Sequence, residues 1–322
     1  MVGFFVFAGQ LITTMKKLSW LSIALVALCV RAMAAEKNSV LVAAWDGSSR
    51  LFGDLAASFE ASTGTRVYRS HGGSSRQARA VLDGLPADVL CVSEAADLDL
   101  LVSQQRLAAN WRTLLPQQSV PFGSAVVFVV RPGNPKQLRD WADLAKPGVQ
   151  LISANPSSSG SGRVDHLAAL AWCRQQKMDD AATLVFFKHL YGNALTLESG
   201  SRGATLAFFE RGLGDVLVAW QSEAALALTN WPERGQVVWP SVTLAAEPRI
   251  GVLTPKGQAW ANFLFSPEAL KLASGQGFID LRSWRAPAGT RLVRAQDLGD
   301  EEALRKAQFS RDGVLARALE AR

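Results

Sequence analysis

Short, continuously apolar runs at 40–45, 67–69, 87–92, 124–130, 149–153, 216–220 and 250–253 dominate the pattern of the chain. Runs of this length, bounded by Gly, Ser or Pro, predict strands buried on both faces. Between them, apolar positions recur at helical spacing over 51–62, 75–82, 163–176, 181–190, 205–211 and 257–265. Strand and helix in alternation predict parallel βαβ units and an α/β class. No internal repeat and no low-complexity tract interrupts the alternation. The turn-rich run Arg131-Pro132-Gly133-Asn134-Pro135 marks a loop near a domain junction.

One apolar stretch, 18–30, is of another kind. It follows Lys16-Lys17 and precedes Ala32-Met33-Ala34, the basic start, apolar core and small-residue cleavage site of a secretory signal. It falls short of the ~20 residues that a spanning helix needs. Met15 begins a complete signal by itself, so 1–14 reads as an upstream extension, and the exported, mature chain is expected to start at Ala35. The 322 residues carry 34 Lys and Arg against 28 Asp and Glu, a formal charge of +6. Residues 1–34 hold three of those bases and no acid, so removing them halves the charge to +3 and leaves nucleic acid with little to recommend it as a partner. The length fits two domains. Cys29 leaves with the signal; Cys91 and Cys173 fall in strand-like and helix-like runs and are expected as buried free thiols. Three histidines leave little for a metal cluster, and no cofactor is expected.

The candidate chemistry lies where strands give way to helices. Four such junctions, 46–50, 70–76, 155–163 and 199–203, are built of Ser and Gly and each carries an Arg. Glycine lets backbone approach a ligand, and the first N–H groups of a helix, with its dipole, favour an anion. At the carboxyl ends of strands the four would converge on one cleft; Ser and Gly are also ordinary caps and turns. Nucleotide, zinc-protease and nucleophile-elbow motifs are absent. Ser70, His71 and Asp46 make a poor triad, since nothing in their spacing supplies a base and an orienter. His166 and His189 read as packing or surface residues. Trp220 closes an apolar run just before polar residues, where its indole N–H is an uncharged donor.

Ser70-His71-Gly72-Gly73-Ser74, Gly84 to Asp88, Val127 to Lys136, Trp141 to Val149, Asn155 to Arg163, Ser199 to Arg202 and Gly212 to Glu223 together resemble the periplasmic sulfate- and thiosulfate-binding proteins of ABC importers. The resemblance runs in register from about Val40 to Pro267, with weaker echoes such as Phe309 to Gly313. It implies a two-lobed periplasmic binding protein fold of type II, with the ligand cleft between the lobes: residues 35–118 and 222–290 in lobe I, 119–221 in lobe II, and 291–322 as a helical segment packing across both. It implies a monomer that captures sulfate or thiosulfate without turnover and delivers it to ABC permease subunits and their ATPase.

Carried residue by residue, the resemblance implies that the oxyanion is held by uncharged donors: the Asp46 N–H, the Ser74 hydroxyl, the hydroxyl and N–H of Ser159, the N–H groups of Gly160, Ser161 and Ser201, and the Trp220 indole. Two positions depart from the family pattern. Ser161 stands where a second glycine is usual, with Gly162 one step later, and Gly47 stands where proline usually follows Asp46. Sulfate is fully deprotonated near neutral pH and presents only acceptors, which suits a donor-only site. A buried carboxylate would repel it, so Asp46 is expected to turn its side chain away, toward Arg50 or its own loop amides. Arg50, Arg76, Arg163 and Arg202 are open between salt-bridge partners and screening of the anion. Two other readings stand beside this one: a receptor for molybdate, tungstate or phosphate, and a secreted ester hydrolase using Ser74 or Ser159.

Overall fold

The computed structural model describes residues 38–320; the expected leader and Cys29 lie outside the described residues. Two sheets organise the chain. The first has the order β10-β3-β1-β2, from β1 (Ser39–Trp45), β2 (Arg66–Gly72), β3 (Val89–Val92) and β10 (Arg249–Val252). β2 and β3 flank β1 in parallel, and β10 closes the edge antiparallel to β3. The second has the order β11-β9-β4-β7-β5-β6, from β4 (Ser124–Val130), β5 (Leu151–Ala154), β6 (Ala194–Glu198), β7 (Val216–Trp220), β9 (Val242–Ala246) and β11 (Arg291–Val293), while β8 (Gln236–Val238) pairs with β4.

Both sheets are covered on two faces, as the continuous apolar runs require. In β1, Val40, Val42 and Ala44 pack on Leu51, Phe52, Leu55 and Phe59 of the helix Ser49–Thr63, and Leu41 and Ala43 face Ala78 and Val81 of the helix Ser74–Leu82. In β4, Val126, Phe128 and Val130 face Trp141 and Leu167, and Val127 and Val129 face Ala204, Phe208 and Phe209. Successive side chains on a strand point to opposite faces, so a strand buried on both sides has no polar alternation to show.

The seven expected strands and six expected helices are all present, with four further strands among the described residues. β6 escaped notice because its edge position leaves its side chains half exposed. The missed β8 and β9 move a boundary. Residues 222–290 were assigned to lobe I, yet β8 and β9 both pair with β4 in the second sheet, so the chain leaves that lobe only after Ala246. The cause is hydrogen bonding over more than 100 residues of sequence, which local pattern does not register. Three connections between lobes run side by side. Ser124 pairs with Ala246, and Gly123 exchanges two 2.8 Å backbone hydrogen bonds with Ile279. A Cβ on Gly123 would collide with Leu281 and lie 2.9 Å from the Ala246 carbonyl. After β11 the C-terminal segment packs its helix Val314–Leu319 on the helix Asp180–Gly192 of lobe II. Glu301 also reaches Arg112 and Arg249, each at 3.5 Å. Cys91 and Cys173 are buried free thiols.

Candidate functional site

The Ser/Gly junctions lie at the carboxyl ends of β1, β2, β5 and β6, each leading into a helix. β1 and β2 run parallel, as do β5, β6 and β7, so the junctions share one edge of each sheet. These edges meet across a seam. A Cβ on Gly160, in lobe II, would stand 3.2 Å from Ser74 Oγ and 3.0 Å from Ser93 Cβ, both in lobe I. A Cβ on Gly200 would collide with Asp46 Oδ2. Trp45 and Trp220, at the ends of β1 and β7, bring their rings to 6.4 Å. Asp46, Ser74, Ser159, Gly160, Ser201 and Trp220 thus come together along one seam, with Ser161 tied to it through Ser159.

Donors at this seam lack acceptors. The helices Ser74–Leu82, Ser201–Phe209 and Gln221–Asn230 begin after Gly73, Gly200 and Trp220, none of which gives a side-chain cap. Their first N–H groups have no carbonyl four residues back to satisfy them; side chains from elsewhere take two of them, Ser124 Oγ accepting from the Ser222 N–H at 3.1 Å and the Asp46 carboxylate from the Arg202 N–H. Ser159 caps the helix Gly160–Gln175 only loosely, accepting from the Gly162 N–H at 3.4 Å while sharing a 2.8 Å bond with Ser161 Oγ. Gly162 is fixed by packing, since a Cβ there would lie 2.6 Å from the Ala154 carbonyl. The Trp220 Nε1 and Ser201 Oγ are buried without a hydrogen-bond partner. Ser74 Oγ accepts from the Ser93 N–H at 3.0 Å and donates to Ser93 Oγ at 3.0 Å. A hydroxyl whose oxygen is pinned by a backbone N–H can rotate its proton to a better acceptor.

Asp46 turns its carboxylate into its own loop and across the seam. Oδ1 accepts from the Gly47 N–H at 3.1 Å, and the Arg202 backbone N–H also serves it. Burial raises its pKa, against which these amides and the Arg202 charge work. The loop-amide contact is as expected, but the carboxylate does not turn away from the seam: its Oδ2 lies against Gly200 and its charged partner is Arg202 in place of Arg50. Arg163 bridges the lobes as a salt-bridge partner: its guanidinium bonds Glu94, lies 3.3 Å from Asp97 and donates to Ser75 Oγ at 3.1 Å. A cavity of about 900 Å³ beside it is lined by Ser93, Glu94, Ser157, Arg163, Arg249 and Glu301. That cavity borders the seam at Ser93, and its walls carry the ion pairs of Arg163 and Arg249 together with the cations Arg79 and Arg305.

The triad is not assembled. Ser70 Oγ pairs with the Gln77 amide at 3.2 Å, whereas His71 Nδ1 lies 3.2 Å from the Trp45 carbonyl and 3.5 Å from Ser48 Oγ. Burial lowers the His71 pKa, and a neutral ring donating from Nδ1 leaves Nε2 as a buried acceptor without partner. The hydroxyls of Ser74 and Ser159 bond other serines and no histidine. His166 is buried between Tyr191 (2.8 Å) and Gln308 (3.0 Å), and His189 is exposed. Sequence reasoning missed Trp45, whose buried Nε1 is also unpartnered, and Ser93. Trp45 carried the same signal as Trp220, an indole closing an apolar strand before polar residues; Ser93 carried none.

The sequence matches the family described as bacterial extracellular solute-binding protein over residues 40–279. It is 38% identical over 257 residues to the sulfate-binding protein of Salmonella typhimurium, spanning 74% of this chain and 78% of that protein. It is 33% identical over 329 residues to the thiosulfate-binding protein of Escherichia coli, spanning 93% and 96%. The structure of the sulfate-binding protein SubI from Mycobacterium tuberculosis superposes with a TM-score of 0.77 at 30% identity, over 85% of this chain and all of that one. The chain belongs to the family of bacterial extracellular solute-binding proteins that includes the sulfate- and thiosulfate-binding proteins.

Proposed function

We propose that this protein captures sulfate, and thiosulfate as a second ligand, at the seam between its lobes and delivers it in the periplasm to an ABC permease driven by its ATPase. The observation that carries this reading is a set of uncharged donors without acceptors: the Trp220 indole and the Ser201 hydroxyl, both buried without a partner, and the start of the helix Ser74–Leu82, which no N-cap side chain serves. A dianion with only acceptor oxygens completes such a set, and the helix dipoles favour its charge. In this reading the donors are the N–H groups of Asp46, Ser159, Gly160, Ser161 and Ser201, the hydroxyls of Ser74 and Ser159, and the Trp220 indole. Ser74 gives its proton to the ligand instead of to Ser93. The reading includes a monomer, export through the leader at 15–34, and binding without turnover.

Titration calorimetry at neutral pH with sulfate, thiosulfate, molybdate and phosphate tests it. Saturable heat with sulfate is expected. Heat with molybdate or phosphate and none with sulfate would replace it with the related-oxyanion reading, for which Ser161 supplies the altered donor set.

A further inference from the structure

Where the chain first leaves lobe I, the backbone takes a form that its residues resist. Gln117, Gln118 and Ser119 follow one another at φ 54°, 54° and 65°. With ψ of 43° and 39° at the two glutamines, this is a left-handed helical turn. For a residue with a Cβ that region is costly, and glycine or asparagine is its usual occupant. The turn stands just ahead of β4, on the first of the connections between the lobes. Residues held in such conformations persist only where their surroundings over-determine them, and they collect at switch regions.

Part of what holds the turn comes from another connection. Arg249, which opens β10 as the chain returns to lobe I, is 6% exposed. Its Nη1 donates to the Gln118 carbonyl and to Gln118 Oε1, each at 3.3 Å. Its Nη2 lies 3.5 Å from Glu301 of the C-terminal segment and 3.9 Å from Glu247, just past β9. Each of these acids has a second cation: Glu247 bonds Arg294, and Glu301 lies 3.5 Å from Arg112, which grips Asp99 with two bonds of 2.7 Å. Acid and base thus alternate through Asp99, Arg112, Glu301, Arg249, Glu247 and Arg294, from lobe I to the segment that β11 fixes to the second sheet. Ser119, fully buried, ties the other side of the turn to lobe I by donating its hydroxyl to the Trp111 carbonyl at 2.9 Å.

We propose that Arg249 is a positioning residue for sulfate capture: its guanidinium latches the left-handed turn 117–119 while the lobes are closed, and the turn relaxes when the latch parts, so that its strain drives opening and release. The inference rests on the reading that sulfate is held at the seam. The lobes are closed in this structure, with Gly160 against Ser74. A hinge is a few loop or element-terminal residues that absorb a change in φ and ψ, and residues outside their preferred region have a downhill change at hand. The latch contacts, at 3.3 Å to 3.9 Å, are looser than those of Arg112 on Asp99. Arg249 also lines the cavity of about 900 Å³, where water can take over its hydrogen bonds as it lets go.

Three variants of the full protein separate latch from strain. Arg249→Met keeps much of the bulk and leaves neither acid alone, since Glu247 retains Arg294 and Glu301 retains Arg112. Gln117→Gly relieves the turn and touches neither Gln118 acceptor. The third variant carries both changes. Stopped-flow tryptophan fluorescence follows sulfate association and release, and small-angle X-ray scattering follows lobe opening with and without sulfate. Arg249→Met should release sulfate about tenfold faster, through loss of hydrogen bonds from a charged donor, with association within about twofold of wild type. Gln117→Gly should slow release about fivefold, because glycine takes a positive φ freely. The double variant should return to within about threefold of wild type, since a relaxed turn needs no latch. Such rescue is not expected of a residue that only packs.

Release from Arg249→Met at the wild-type rate overturns the inference. A double variant as fast as Arg249→Met overturns it too, by making Arg249 merely structural, and so does Gln117→Gly that releases sulfate no more slowly than wild type. Absence of sulfate binding by wild type overturns the sulfate reading alone. Scattering of the unliganded proteins then decides: a larger radius of gyration in Arg249→Met, brought back by Gln117→Gly, supports the latch, and an unchanged one overturns it. Should Arg249→Met not fold, the release rate of Gln117→Gly decides by itself.

Discussion

Helix starts at the seam and helix starts on the outer surface are built differently. Asp179, Ser266 and Asp300 cap the helices Asp180–Gly192, Pro267–Gly275 and Glu301–Phe309, accepting from backbone N–H groups at 2.7 Å, 3.1 Å and 2.8 Å. At the seam, Gly73, Gly200 and Trp220 cap nothing, and Ser159 reaches its N–H at 3.4 Å. These three outer helices carry good caps, although Val314–Leu319, which starts after Gly313, does not. In the proposed site the start of the helix Ser74–Leu82 goes without a side-chain cap, which holds its donors ready at some cost in helix stability.

The sharpest way to break this contrast is to remove donors at the seam. Ser159→Ala combined with Trp220→Phe should weaken sulfate binding by about 100-fold or more, since a hydrogen bond to a charged group is worth ~1.5–3 kcal/mol. Unchanged affinity by calorimetry would show that these donors do not meet the ligand. Next in size is an effect in the satisfied interior. His166 is held neutral by burial, with its pKa down at about 4. The unfolded chain binds that proton first as pH falls below about 6.5, so stability drops by up to roughly 3 kcal/mol on going to pH 4. Chemical denaturation at a series of pH values should show this slope, and His166→Gln should flatten it.

Smaller effects come from exchanging the two kinds of helix start. Gly73→Asp gives the seam a cap with room to fit, because a Cβ there meets only the Ser158 carbonyl at 3.7 Å. It should stabilise the fold by about 0.3 kcal/mol while costing about tenfold in sulfate affinity, as a carboxylate occupies donors meant for the ligand. Thermal unfolding and titration of one preparation check both halves. Smallest is the converse. Asp179→Ala should cost about 1 kcal/mol of stability and leave sulfate affinity where it was; a loss of affinity would deny that the outer caps are only structural.

The same contrast marks how far the sequence could be read. Ser and Gly at 70–76, 155–163 and 199–203 were legible because a helix start needs few residues and all are local. The strands were legible because double burial writes an uninterrupted apolar run. What escaped depends on distant partners. Ser74 is pinned by Ser93, Asp46 turns to the Arg202 backbone, and Arg249 reaches the turn at Gln118; each pairing joins segments that no window of sequence contains. β8 and β9 escaped for the same reason, and with them the point at which the chain leaves lobe II.

The three connections laced side by side at Gly123, Ala246 and Ile279 have a mechanical meaning. A single linker lets two bodies swivel, twist and slide, but three hydrogen-bonded ones resist shear and torsion while still bending across their width. The lobes then travel along one arc, like a door on a long hinge. A transporter waiting at the membrane would meet a face whose shape depends on one variable, the angle of closure, so an occupied receptor and a vacant one differ in outline as well as in content.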